Sequence, residues 1–329
     1  MTYTYGPVAS WRYGRSLGVD ITTPPKKCTF NCIYCQLGPT KKHVTSPEDI
    51  QDDIPLSKDI IMEVRTTLER LVQETVDVLT FSGTGEPTLN LNIGTIASSI
   101  REFIADLPII LLTNASLVSR ADIRKRVSGF DIITAKLDAG DEETFRRINR
   151  PSMGSFSFEM IREGIKKLGK EMKGILALEV MLLNGPEGLT NVEGTPRRAL
   201  IESILEIDPD LVQIYTPWRP STLQSVTPLS ENVLREFGSE LEDHFDKERV
   251  WIYGVHDARD KEVKWKTHHI LEQEMLDLLR RRPCRIPDIS ISLGIMSSIV
   301  TCVLGKLHDN GDVKTTRVGH DIFYGTVDE

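Results

Sequence analysis

The chain has 329 residues, of which 40% are hydrophobic, 27% charged and 6% aromatic, with a formal net charge of -8. That length suffices for one large domain and a small one around a substantial core, and the acidic excess removes any global attraction to a phosphate backbone. No run approaches the roughly 18 apolar residues that span a bilayer, and Met1 to Pro7 carries neither a basic nor an apolar signal segment, so cytoplasmic residence without membrane association is expected.

Short apolar, β-branched runs recur along the chain: Leu17 to Ile21, Val76 to Phe81, Ile109 to Thr113, Ile132 to Lys136, Leu176 to Leu182 and Leu211 to Thr216, with Val250 to Tyr253 as an extra edge strand. Helical spacing separates them, as in Ile60, Ile61, Val64, Leu68 and Leu71, or Ile161, Ile165 and Leu168. Strands alternating with helices predict an α/β fold with a parallel sheet, open or closed as a barrel. In such folds ligands sit at the carboxyl ends of the strands.

From about Lys261 the pattern changes. Leu271, Met275, Leu278 and Leu279 predict one amphipathic helix, Pro287 to Ile295 a second, and Ile299, Val300, Val303, Leu304 and Leu307 a third, stopped at Asn310-Gly311. Val313 to Arg317 and Asp321 to Tyr324 flank Val318-Gly319-His320 as a β-hairpin. Three helices and a hairpin form the layout of a small α+β winged-helix-like domain, which divides the chain into residues 1–258 and 259–329. Basic residues there are matched by acidic ones. Only Arg280 to Arg285 form a concentrated patch, and the presumed recognition helix carries just Lys306, a weak footprint for nucleic acid.

Three of the five cysteines fall within Cys28-Thr29-Phe30-Asn31-Cys32-Ile33-Tyr34-Cys35, just after the first strand. An odd, clustered set argues for a metal site rather than a disulfide framework. Thiolates suit iron–sulfur clusters or zinc. Three can hold three corners of one cube and leave an iron open, whereas structural zinc is usually closed by four protein ligands. His43 offers the alternative, a Cys3His zinc site. Cys284 and Cys302 stand far downstream and are expected as buried thiols.

C-x3-C-x2-C with an aromatic residue before the last cysteine is identified as the signature of the radical S-adenosylmethionine (SAM) superfamily. The resemblance implies a partial (β/α)6 TIM-like barrel, a [4Fe–4S] cluster on Cys28, Cys32 and Cys35, and SAM chelating the fourth iron. It also implies cleavage of SAM to methionine and a 5′-deoxyadenosyl radical that abstracts hydrogen from substrate, with a reductant such as ferredoxin or flavodoxin as partner. By the same likeness Tyr34 lies against the adenine. Gly83-Thr84-Gly85-Glu86 resembles the "GGE" element, with Gly83 and Gly85 admitting the ligand to the backbone and Glu86 pairing with the SAM ammonium. Thr113-Asn114-Ala115 resembles the "TNG" turn, and Lys136 and Asp138 occupy the position of groups near the SAM carboxylate and ribose. The plain alternative for each is a solvated strand end. Arg147, Asn149, Arg150 and Pro151 suit either substrate contact or a charged helix end, and Tyr215 to Pro220 form an aromatic, basic rim for a substrate mouth.

Gly6 to Asp20 together with Tyr34-Cys35-Gln36-Leu37-Gly38 resemble the wyosine-synthase-like, tRNA-modifying branch, over roughly residues 6–220. The wyosine enzyme carries three further cysteines upstream of the loop, and no cysteine precedes Cys28 here. Two functional classes follow. One is an enzyme modifying a macromolecular substrate, RNA or protein/peptide, with the C-terminal module helping to present it. The other is an iron–sulfur sensor of redox state or iron that reads DNA through the winged helix. Glu86 and the strand-end polar groups favour the enzyme, because a sensor needs no SAM site.

Overall fold

The computed structural model describes residues 2–71, 76–104, 107–152, 154–221, 223–256, 271–294 and 297–327. In chain order these form β1 (Thr4–Ser10), β2 (Gly14–Val19), the short β3 (Lys27–Cys28) and β4 (Lys42–His43), α1 (Ser57–Arg70), β5 (Val78–Phe81), α2 (Ile93–Arg101), β6 (Ile109–Thr113), α3 (Ala121–Val127) and β7 (Ile132–Lys136). There follow α4 (Glu142–Asn149), α5 (Phe158–Glu171), β8 (Ile175–Met181), α6 (Gly194–Ile207), β9 (Leu211–Tyr215), α7 (Glu231–Glu242) and β10 (Val250–Ile252). The C-terminal part comprises α8 (Leu271–Arg281), α9 (Ile286–Leu293), α10 (Ser297–Asp309), β11 (Val313–Val318) and β12 (Asp321–Thr326).

One eight-stranded sheet runs β1-β2-β5-β6-β7-β8-β9-β10. From β2 to β10 every neighbour pairs in parallel, and the ends do not meet, so the sheet curls into a partial barrel. Its strands are apolar on both faces, as in β5, where all of Val78 to Phe81 is buried, because helices cover the outer side. Helix α5 shows how the sequence achieves this. Ser157 caps it by accepting from Met160 N, and Phe158, Ile161, Gly164, Ile165 and Leu168 turn inward at helical spacing.

All seven expected parallel strands are present, the first displaced to Gly14–Val19. Strand β1 was not among them. It pairs antiparallel with β2 and carries an irregularity between Tyr5 and Val8, at Gly6-Pro7, which breaks the alternation a sequence reading relies on. The three C-terminal helices and the β11–β12 hairpin fall where expected, while Lys261, Lys264 and Lys266 lie outside the described residues. The C-terminal helices do not close a core by themselves. Tyr5 and Val8 of β1 are buried with Met275, Leu278, Leu279, Ile289, Leu293, Val300 and Leu304, and Ala9 N donates to Ser292 Oγ at 2.6 Å.

Candidate active site

The carboxyl ends of the strands open on one cavity of about 310 Å³. Its lining includes all three clustered cysteines, Tyr34, Gly83, Gly85, Glu86, Asn114 and Lys136. Asp138 sits just behind, 2% exposed, bonded to Tyr34.

Backbone pairing holds the cysteine loop. Asn31 N donates to Asn149 O at 3.1 Å, Ile33 N to Ile148 O at 3.0 Å and Ser152 N to Thr29 O at 3.0 Å. Phe30 anchors it edge-on against Phe145 and Phe156. The backbone from Asn149 to Pro151 therefore backs the loop, and Arg147 bonds the Glu187 carbonyl at the surface.

Each clustered sulfur has a nitrogen donor. Asn114 Nδ2 lies 3.5 Å from Cys28 Sγ, Asn149 Nδ2 3.6 Å from Cys32 Sγ, and Lys26 Nζ 3.1 Å from Cys35 Sγ. Burial, reinforced by the neighbouring cysteine, pushes the Cys28 thiol up to about 12 and Cys32 up to about 11. His43 pairs with Cys28 in the β3–β4 ladder, but its Nδ1 meets Ser152 Oγ at 3.4 Å. Among the described residues no three His, Cys, Asp or Glu side chains are grouped to hold a single metal ion.

The Gly83-Thr84-Gly85-Glu86 turn is locked to the cysteine loop, since Glu86 N donates to Lys27 O at 3.0 Å. A Cβ on Gly85, at φ +140°, would stand 1.9 Å from that carbonyl, and one on Gly83 2.4 Å from the Asp20 carboxyl carbon. Both positions therefore require glycine. Glu86 is buried and accepts from Thr88 N and Oγ1, Thr113 Oγ1 and Asn114 N, at 3.1, 2.6, 2.6 and 2.7 Å. Burial raises its carboxyl despite these donors.

Beneath the aromatic rim lies a buried charge network. Lys136 Nζ reaches Tyr215 Oη at 2.7 Å, Glu179 at 3.1 Å and Asp138 at 3.3 Å. Two of its N–H bonds thus have acceptors, and Asp138 adds an ion pair. Arg12 completes the network through Glu179. Burial alone would push Lys136 down, yet Asp138 and Glu179 hold it well above its usual value. Burial would raise Glu179, yet Arg12 and Lys136 hold its carboxyl down at about 2. Neither Arg12 nor Glu179 was singled out from the sequence. The available signal was a lone carboxylate inside the apolar run Leu176-Ala177-Leu178-Glu179-Val180-Met181, which cannot be buried without a cation.

The rim residues Tyr215, Thr216, Pro217, Trp218 and Arg219 do line the cavity. Arg281, the last residue of α8, and Arg282 line it too, so the C-terminal helices form part of its wall. The remaining arginines of that patch pair locally, Arg280 with Asp277 and Arg285 with Asp288 and Asp321. Cys284 is fully buried, as expected, and the Cys302 side chain lies outside the described residues.

Residues 22–187, half the chain, match the family model of the Radical SAM superfamily. The chain belongs to this superfamily. A UPF0026 protein of Synechocystis is 40% identical over 220 residues, covering 67% of this chain and 77% of that protein. One from Methanocaldococcus jannaschii is 28% identical over 332 residues, covering 98% and 96%. The chain is thus a UPF0026 family member as well. A "GTPase Obg" of Brachyspira hyodysenteriae is 31% identical over 320 residues, and the radical SAM chain spans 97% of itself but only 44% of that protein. Among solved structures, SuiB of Streptococcus suis bound to S-adenosylmethionine superposes with a TM-score of 0.52 at 12% identity, over 73% of this chain and 50% of SuiB. That likeness bears on the fold alone, an α/β partial barrel. Superfamily membership makes the chain a radical SAM enzyme, and the sensor alternative falls away. No helix among the described residues is long and apolar enough to cross a membrane.

Proposed function

We propose that Cys28, Cys32 and Cys35 hold a [4Fe–4S] cluster and that the enzyme cleaves SAM beside a macromolecular substrate, RNA or protein/peptide, admitted to the cavity. The observation that carries this reading is the set of three nitrogen donors aimed at three sulfurs. Donors so placed suit thiolates that keep negative charge in a bound cluster, and hydrogen bonds to the sulfurs tune its potential. Reduced by a partner such as ferredoxin or flavodoxin, the cluster would supply the electron that splits SAM into methionine and the 5′-deoxyadenosyl radical used for hydrogen abstraction.

The protein's own part is placement. Gly83 and Gly85 let the backbone approach the ligand, Glu86 takes the ammonium, Asn114 and Asp138 face polar groups, and Tyr34 bounds the adenine side. Lys136, held at the cavity wall beside Asp138 and Glu179, faces the SAM carboxylate. The N-terminal likeness supports a place beside the wyosine-synthase-like branch. The C-terminal module, read as winged-helix-like over residues 259–329, shares in presenting substrate.

Anaerobic reconstitution with iron and sulfide, followed by SAM and dithionite, tests the reading. We expect about four irons per chain and formation of 5′-deoxyadenosine. Cys28→Ser, Cys32→Ser and Cys35→Ser each lose the cluster, and Cys284→Ser keeps it. An intact cluster that never cleaves SAM overturns the proposal.

A further inference from the structure

Both glycines of the Gly83-Thr84-Gly85-Glu86 turn sit at positive φ, so the turn keeps its shape only if its neighbours are held. The residues on either side of Gly83 are held. Ser82 Oγ meets Tyr5 Oη at 2.5 Å. Thr84 donates from N and Oγ1 to Asp20 Oδ2 at 3.1 and 2.7 Å. Arg281 joins both partners, its Nη1 bonding Asp20 Oδ2 and donating to Thr84 Oγ1 at 2.6 Å.

Both anchors belong with the C-terminal helices. Arg281 ends α8, and Tyr5, although in β1, is buried in the helices' core with Met275, Leu278 and Leu279. Neither has much freedom. The Tyr5 ring lies on Gly18, where a Cβ would stand 2.1 Å from Cζ, and the Arg281 guanidinium sits 5.3 Å from the ring centroid. Arg281 Nη2 also donates to Thr2 O at 2.8 Å. Tyr5 and Arg281 thus brace each other as well as the turn.

We infer that Tyr5 and Arg281 are positioning residues for SAM. They act through Ser82 and Thr84, fixing Gly83, Gly85 and Glu86 in the arrangement that receives the SAM ammonium. This rests on reading the cavity as the SAM site. The C-terminal helices therefore contribute to cofactor affinity, because a turn that is only sometimes in the competent shape binds more weakly by that fraction.

Calorimetric titration of the reconstituted holoenzyme with SAM, well below the melting temperature and with iron measured in each sample, tests the inference. Tyr5→Phe removes a hydroxyl and keeps the ring, and it should weaken SAM binding about fivefold with iron content unchanged. Arg281→Met should weaken it at least as much. Leu304→Ala, which opens a cavity in the same helical core, should lower the melting temperature and leave SAM affinity intact. Wild-type SAM affinity in Tyr5→Phe and Arg281→Met overturns the inference, whatever their melting temperatures. An equal loss in Leu304→Ala also overturns it, since general loosening would then suffice. Thr84→Val removes the hydroxyl that Arg281 holds, so combined with Arg281→Met it should lose less than the product of the two single effects. Full additivity would put Arg281 on SAM itself and overturn the positioning role. A wild type that carries its cluster but binds no SAM overturns the reading of the cavity, whereas wild-type binding with unchanged variants overturns this inference alone.

Discussion

Arg281, from α8, and Thr84, from the turn that carries Glu86, bond the same oxygen of Asp20, Oδ2. The other oxygen, Oδ1, accepts from Thr22 N at 3.0 Å, Thr22 Oγ1 at 3.1 Å and Thr23 N at 2.9 Å, where the chain leaves β2 for the cysteine loop. One carboxylate, fully buried, thus ties together three parts of the site. Breaking a buried pair by removing one partner strands the other charge, at about 3 kcal/mol. Arg281→Met should lower stability by that order, read from the urea midpoint. Paired with Asp20→Asn in a double-mutant cycle, it should show strong coupling, and additive effects would refute the tie.

The Glu179 network predicts an acid transition. Its folded carboxyl lies at about 2 against an ordinary 4.5. A depressed folded value gives stability that is complete above pH 4.5 and lost as pH falls toward 2, on the order of 3 kcal/mol. Urea midpoints measured from pH 7 downward should therefore decline through that window. In Glu179→Gln the protein starts less stable, with Arg12 and Lys136 under-neutralised, and its decline there should be shallower. An unchanged slope would show that Glu179 is not the group responsible.

Gly85→Ala should be severe. The added methyl would collide with the Lys27 carbonyl, a backbone atom that cannot swing aside. Loss of the Glu86–Lys27 pairing should cost more than about 2 kcal/mol and also loosen the cysteine loop. Chemical denaturation and iron retained after desalting report the two effects separately.

Arg150 ends α4 in the left-handed region, at φ 45°, and is exposed. Relief of that strain, about 1 to 2 kcal/mol, exceeds the extra backbone entropy of glycine, about 0.5 to 1 kcal/mol. Arg150→Gly should therefore stabilise the protein slightly, raising the melting temperature by about 2 °C. A lower melting temperature would mean that the Arg150 side chain contributes contacts of its own.

The sequence made the parallel strands and the cysteine loop plain, because apolar runs such as Ile109-Ile110-Leu111-Leu112 and a fixed thiol spacing are local signals. Gly83, Gly85 and Glu86 were legible for the same reason, as a short turn at a strand end. What stayed hidden depends on contacts between distant segments. Nothing near Arg12 announces Glu179, 167 residues away, and nothing near Arg281 announces Asp20, 261 residues away. Strand β1 was masked by Gly6-Pro7, and the contacts of Lys136 with Glu179 and Tyr215 come from other strands.

The packing of Tyr5 and Val8 among the C-terminal helices bears on how this protein can be re-engineered. A graft that exchanged only the segment after residue 270 for a homologous one would leave the incoming helices facing a foreign strand. The transferable unit is discontinuous, pairing that segment with Thr4–Ser10, and chimaeras should be cut at two places along the chain rather than one.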